Sequence, residues 1–93
     1  GLDPVAFVLL QQSPEGLTAL VERFLPLPPK LLRPLEVYME SATLEEAARA
    51  LHIHPNTLRY RLKRVEERIG PLSAPETLAR VHLALRARSL LVG

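Results

Sequence analysis

The sequence predicts an all-α domain of five or six helices built around a helix-turn-helix. Capping residues followed by apolar positions at i, i+3, i+4 and i+7 recur along the 93 residues. No alternating apolar and polar run has a hairpin turn beside it. The composition, 47% hydrophobic and 24% charged, supports a folded core rather than a disordered segment.

Asp3-Pro4 pairs an N-cap with proline at the first helical position. Residues 5–12 then read as a short helix or equally as a buried strand, because the apolar run carries no periodicity. Ser13-Pro14 repeats the cap and opens a helix with Leu17, Leu20, Val21 and Phe24 on one face. "LPLPP", residues 25–29, breaks that helix and forms a stiff connector. The next helix is expected from residue 31 or 32 to 41. Its inner face is Leu32, Leu35 and Met39, with Tyr38 nearby and Pro34 within about its first turn.

Thr43 and Glu46 form a capping-box pair. Leu44, Ala47, Ala48 and Leu51 follow as a core-facing stripe, whose alanines let another helix approach closely. Leu51-His52-Ile53 reads as a tight turn, and His54-Pro55 as a cap and first helical position. Leu58, Leu62, Val65 and Ile69 line one narrow face of the helix that follows, and Gly70-Pro71 ends it. Ser73 and Glu76 are a second capping-box candidate, with a last helix over residues 74–91.

The charge is unevenly spread. Residues 1–48 carry three basic and seven acidic side chains, whereas residues 49–93 carry nine basic and three acidic. A basic half suits a polyanion partner. Ten of the twelve basic residues are arginine, the side chain better fitted to bidentate phosphate or base contacts.

Two short helices joined by about three residues make a helix-turn-helix, which presents its second helix. With Leu58, Leu62, Val65 and Ile69 turned inward, a step of about 100° per residue points Asn56, Tyr60, Lys63 and Glu67 outward. Arg59 falls on one flank, Thr57 and Arg64 on the other, and Arg61 and Arg68 closer to the buried side. Such a surface combines base readers with phosphate donors. It points to sequence-specific binding of duplex DNA, with the helix from Pro55 to Ile69 in the major groove. The competing reading is a protein-interaction helical module that does not bind DNA.

The stretch "LEEAARALHIHPNTLRYRLKRVEERIG" closely resembles the C-terminal helix-turn-helix of the PucR family, bacterial regulators of purine catabolism and sugar-diacid type. "ALHIHPNTLRYRL" is its most specific part. The resemblance extends upstream through "LLRPLEVYMES" and downstream through "LSAPETLARVHLALRARSLL", covering about residues 30–91. It implies a DNA-binding output module of a bacterial transcription regulator over residues 30–93. Residues 1–29 are then the tail of an upstream, effector-side domain or linker helices. Any effector is bound by residues this chain lacks, a view in keeping with glycine rather than methionine at position 1, read as a fragment end or tag scar.

More distantly, the unit resembles the Fis-type helix-turn-helix. That resemblance implies base contacts at His54, Pro55 and Arg59 and phosphate contacts at Thr57 and Tyr60. Pro55 departs from the usual basic reader there. His52 stands where many such turns have glycine in a left-handed conformation. The full DNA-binding set expected is therefore His54, Pro55, Asn56, Thr57, Arg59, Tyr60, Lys63 and Arg64.

Other chemistries fit less well. There is no cysteine, and His52-x-His54 with His82 would need carboxylates to complete a zinc site. A turn residue and a cap residue explain the pair more simply, and His82 reads as a partly buried packing residue. No nucleophile elbow or Gly-rich phosphate loop is present, so neither catalytic residues nor a cofactor are expected. The longest apolar run is too short to span a bilayer, and a cytoplasmic location is expected. The closing helix carries a main stripe at Leu78, Val81, Leu85 and Val92 and a second at Leu83, Ala87, Leu90 and Leu91. The second stripe meets either the N-terminal helices or a second copy in a homodimer.

Overall fold

Six α-helices, and no strand, make up the secondary structure of residues 3–92, the part described by the computed structural model. They are α1 (Pro4–Leu10), α2 (Pro14–Phe24), α3 (Pro29–Glu40), α4 (Leu44–Ala50), α5 (Pro55–Ile69) and α6 (Pro75–Val92). Gly1, the supposed scar, lies outside the described residues.

The starts of these helices follow from local chemistry. The Asp3 carboxylate accepts from the Ala6 N–H at 2.9 Å, and the Ser13 hydroxyl from the Gly16 N–H at 3.0 Å, each with proline next in sequence. Each cap satisfies one of the N–H groups that a first turn leaves free. The ambiguous run after Pro4 is thus a helix. The Thr43 hydroxyl accepts from the Glu46 N–H at 3.0 Å. The return bond of this box lands one residue early: Glu46 Oε2 accepts from the Ala42 N–H at 3.1 Å rather than from that of Thr43.

Prolines move two boundaries away from the sequence expectation. α3 begins at Pro29, because proline's fixed φ suits the first helical position and holds the preceding Pro28 extended at φ −67°, ψ 158°. The connector is shorter as a result, and Pro34 sits in the second turn of α3. Having no N–H, Pro34 makes no helical bond to the Lys30 carbonyl. At α6, Pro75 takes the first helical position. Ala74 therefore stands at the cap position expected for Ser73.

The chain divides into two compact units. One is the continuous segment Leu27–Pro71, in which α3, α4 and α5 pack on one another. Its buried side chains include Leu31, Leu35, Val37, Ala47, Ala48, Leu58, Leu62 and Val65. Ala47 and Ala48 are fully enclosed, so the small residues do sit where backbones come close. The inner face of α3 is Leu31, Pro34, Leu35 and Val37, with Leu32 and Met39 only half-buried.

The other unit joins the chain up to Pro26 with the chain from Leu72 onward. There α6 packs against α2 and α1. Leu9, Leu17 and Ala87 form a core that Leu20, Val21 and Leu83 close over. Arg86 on α6 binds the Asp3 carboxylate at 3.0 Å. The buried face of α6 is Thr77, Val81, Ala84 and Ala87, so Val81 alone of the expected main stripe is fully buried, while Ala87 and Leu83 of the second stripe meet the N-terminal helices. Leu78 and Leu85 flank it half-buried, and Val92 and His82 are exposed. Small side chains win this face because they allow α6 to lie close to its neighbours.

Candidate nucleic-acid interface

The turn between α4 and α5 is closed by backbone bonds. The Ile53 N–H donates to the Ala48 carbonyl at 3.0 Å, and the His52 N–H to that of Arg49 at 3.1 Å. This is a Schellman pairing, and it requires a left-handed residue just after the cap. His52 is that residue, at φ 57°. Its imidazole is exposed, so the conformation serves the backbone and not a side-chain contact.

His54 then starts α5. Its Nδ1 accepts from the Asn56 N–H at 3.0 Å, which places the ring proton on Nε2 and leaves that atom as a donor. Thr57 meets His54 through its backbone, donating to the His54 carbonyl at 3.0 Å. Pro55 is half-buried at the first helical position. α5 has 15 residues, about 22 Å of helix. Gly70, at φ 104°, caps its end and donates its N–H to the Glu66 carbonyl.

The predicted outward face is outward. Asn56, Tyr60, Lys63 and Glu67 are exposed, as are Arg59 and Arg64, while Thr57 is half-buried. Tyr60 is 62% exposed, too open for a core residue. Leu58, Leu62 and Val65 are buried opposite, with Ile69 only half-buried.

Polar contacts pre-arrange this face. Arg59 Nη1 donates to Asn56 Oδ1 at 2.7 Å, and Nη2 lies 3.6 Å from Glu45 Oε1 on α4. The Arg64 guanidinium sits 5.9 Å from the Tyr60 ring centroid, within cation–π range, and its Nε lies 3.9 Å from Glu67. Exposed pairs of this kind contribute about 0–1 kcal/mol each, so an anion or a base edge can replace them.

Arg61 and Arg68 were placed toward the buried side by the helical projection. Arg61 is half-buried, and Arg68 is exposed. Both line a groove of about 400 Å³ with Lys30 and Leu31 from α3 and with Thr57, Tyr60 and Arg64. Sequence reasoning left out Lys30, Arg61 and Arg68. The signal available was the spacing of Thr57, Arg61, Arg64 and Arg68 at i, i+4, i+7 and i+11, which puts them in one row.

A purine catabolism regulatory protein of Bacillus subtilis is 44% identical over 63 residues, 66% of this chain and 12% of that protein. Uncharacterized proteins of Mycobacterium bovis and Mycobacterium tuberculosis are 44% identical over 43 residues, 45% of this chain and 10% of theirs. The chain thus spans about a tenth of the length of these curated relatives. No solved structure matches. Residues 31–87, which hold α4, the turn and α5 entire, match the family model of the PucR C-terminal helix-turn-helix domain, and the chain belongs to that family.

Proposed function

We propose that this chain is the output module of a bacterial transcription regulator and that it binds duplex DNA sequence-specifically. The observation that carries the reading is the exposed row of Asn56, Arg59, Tyr60, Lys63 and Arg64 on a helix that the His52 turn and the His54 cap set forward. α5 enters the major groove with its N-terminal half on the bases. Arg59 and Asn56 read base edges, as does His54 through Nε2–H. Thr57, Tyr60, Lys63 and Arg64 hold phosphates, and Pro55 orients the start of the helix. The chain acts by binding rather than by catalysis.

The regulator reading has further parts. Residues 1–29 are the tail of an upstream effector-side domain in the parent protein, and residues 30–93 are the output domain. The effector binds upstream of this chain, and the protein works in the cytoplasm. Among the described residues, no helix is long and apolar enough to cross a membrane. Leu83 and Ala87 of the second α6 stripe pack on the N-terminal helices, and a homodimer would use what the stripe leaves exposed, Leu90 and Leu91. A two-fold operator with half-sites roughly 34 Å apart suits such a dimer.

Titration against duplexes of selected and scrambled sequence, at several salt concentrations, tests the reading. Salt-dependent binding with a preferred sequence is expected. A chain that retards no duplex at low salt is an interaction module instead.

A further inference from the structure

The groove beside the outward face of α5 has a composition that a merely solvated flank lacks. Four cationic side chains line it: Lys30 from the start of α3, and Arg61, Arg64 and Arg68 from α5. The hydroxyl-bearing Thr57 and Tyr60 complete its polar wall. None of its lining residues is acidic. Glu67, which lies 3.9 Å from Arg64, stands outside the lining. The groove therefore offers hydrogen-bond donors and positive charge with no carboxylate in its own lining. That is the chemistry of a phosphate ester site.

Its shape narrows the choice of phosphate. Along α5 the row from Thr57 to Arg68 is about 16 Å long, a track rather than a cup. Tyr60 and Arg64 belong both to this groove and to the exposed side of α5, so the two surfaces are continuous. We infer that the groove carries the sugar–phosphate backbone of one DNA strand, with Lys30, Arg61 and Arg68 as sequence-independent contacts beside the base-reading face. The inference rests on the duplex-binding reading above and adds α3 to the DNA-contacting surface. A free phosphorylated small molecule shares the chemistry and is the competing occupant.

Lys30 and Arg68 are both exposed, so their substitution leaves the core intact. The test uses Lys30→Ala, Arg68→Ala, the double variant and Lys30→Arg, each checked for an unchanged circular dichroism spectrum. Each alanine variant is expected to weaken binding of cognate and scrambled duplexes alike, by roughly five- to tenfold near 0.1 M salt. Each should also lower the slope of log affinity against log salt by about one, and the double variant by about two. Lys30→Arg should restore both quantities. Unchanged affinity and slope in the double variant overturn the groove assignment while the duplex reading stands. Loss on the cognate duplex alone also overturns it, since these residues would then read bases. An NMR titration of the unaltered chain with sodium tripolyphosphate separates the two occupants. Shifts at Lys30, Arg61 and Arg68 in a chain that binds no duplex give the groove to a free phosphorylated ligand and reject both readings. No shift and no duplex binding reject both as well.

Discussion

Arg59 and Asn56 are hydrogen-bonded to each other, Nη1 to Oδ1 at 2.7 Å, one turn apart on the exposed side of α5. Both are base readers in the proposed complex, so they should act as a unit. Arg59→Ala is expected to cost about 1–3 kcal/mol on the cognate duplex and to relax preference at one base pair. Asn56→Ala should cost less than additively in the double variant, with a coupling of about 0.5 kcal/mol or more. Titration of the four proteins against cognate and single-substitution duplexes measures this, and strict additivity would mean that the bond does not persist on DNA.

Arg64→Ala should behave differently. It lies farther along α5, and its loss should weaken cognate and random duplexes alike and lower the salt slope by about one ion. Tyr60 and Thr57, being neutral, should weaken both duplexes with little change of slope. A base-preference change at Arg64 with a uniform loss at Arg59 would reverse the orientation of α5 in the groove.

His54 has two roles that can be separated. Its Nδ1 caps α5, and its Nε2–H is free to donate to DNA. His54→Ala should lower stability by about 1 kcal/mol, whereas His54→Asn, a good N-cap, should stay within a few tenths of wild type. If His54→Asn keeps its urea midpoint yet loses duplex affinity, the ring touches DNA. Equal affinity would reduce His54 to a cap.

The left-handed His52 gives a test of the turn. Glycine removes the steric cost of this conformation but is more flexible when unfolded. His52→Gly is therefore expected to stabilise by roughly 0.5–1 kcal/mol, and His52→Val to destabilise by more than about 1 kcal/mol. The exposed ring makes no packing contribution to confuse the comparison. A urea denaturation series reads it directly, and a stable His52→Val would mean that the turn has another form in solution.

Acid sensitivity should appear at Asp3. The N–H of Ala6 and then the Arg86 guanidinium hold its carboxyl below the ordinary value of 3.8. A group whose folded pKa is depressed contributes stability that is present above its unfolded pKa and lost as pH falls through the folded one. Wild type should thus lose stability below about pH 4 in part through this group. Asp3→Asn keeps the cap, drops the ion pair and should show a flatter acid limb in thermal melts. Identical limbs would mean that the Asp3–Arg86 pair is absent in solution.

Much of the helix-turn-helix was legible because its determinants are local. Thr43, His54 and Pro55 fix helix starts within a turn of themselves, and the His52 strain follows from its place after α4. The inner face of α6 was legible only in part, through Val81 and Ala87. A helical projection ranks Leu78 and Leu85 above Thr77 and Ala84, yet close helix packing prefers the smaller pair. The part of Lys30 in the basic groove was hidden for another reason: it joins Arg61 and Arg68 only when α3 packs on α5. No spacing along one helix reveals a partner from another.

The division of the chain bears on the order in which its parts can form. Leu27–Pro71 is one uninterrupted stretch, whereas the other unit waits for its second half, and the Asp3–Arg86 link spans 83 positions. During synthesis the ribosome supplies every residue of α3, α4 and α5 before any of α6. Until α6 emerges, Leu9, Leu17, Leu20 and Val21 have no Leu83 or Ala87 to cover them. Low local contact order therefore favours Leu27–Pro71 as the first of the two units to close.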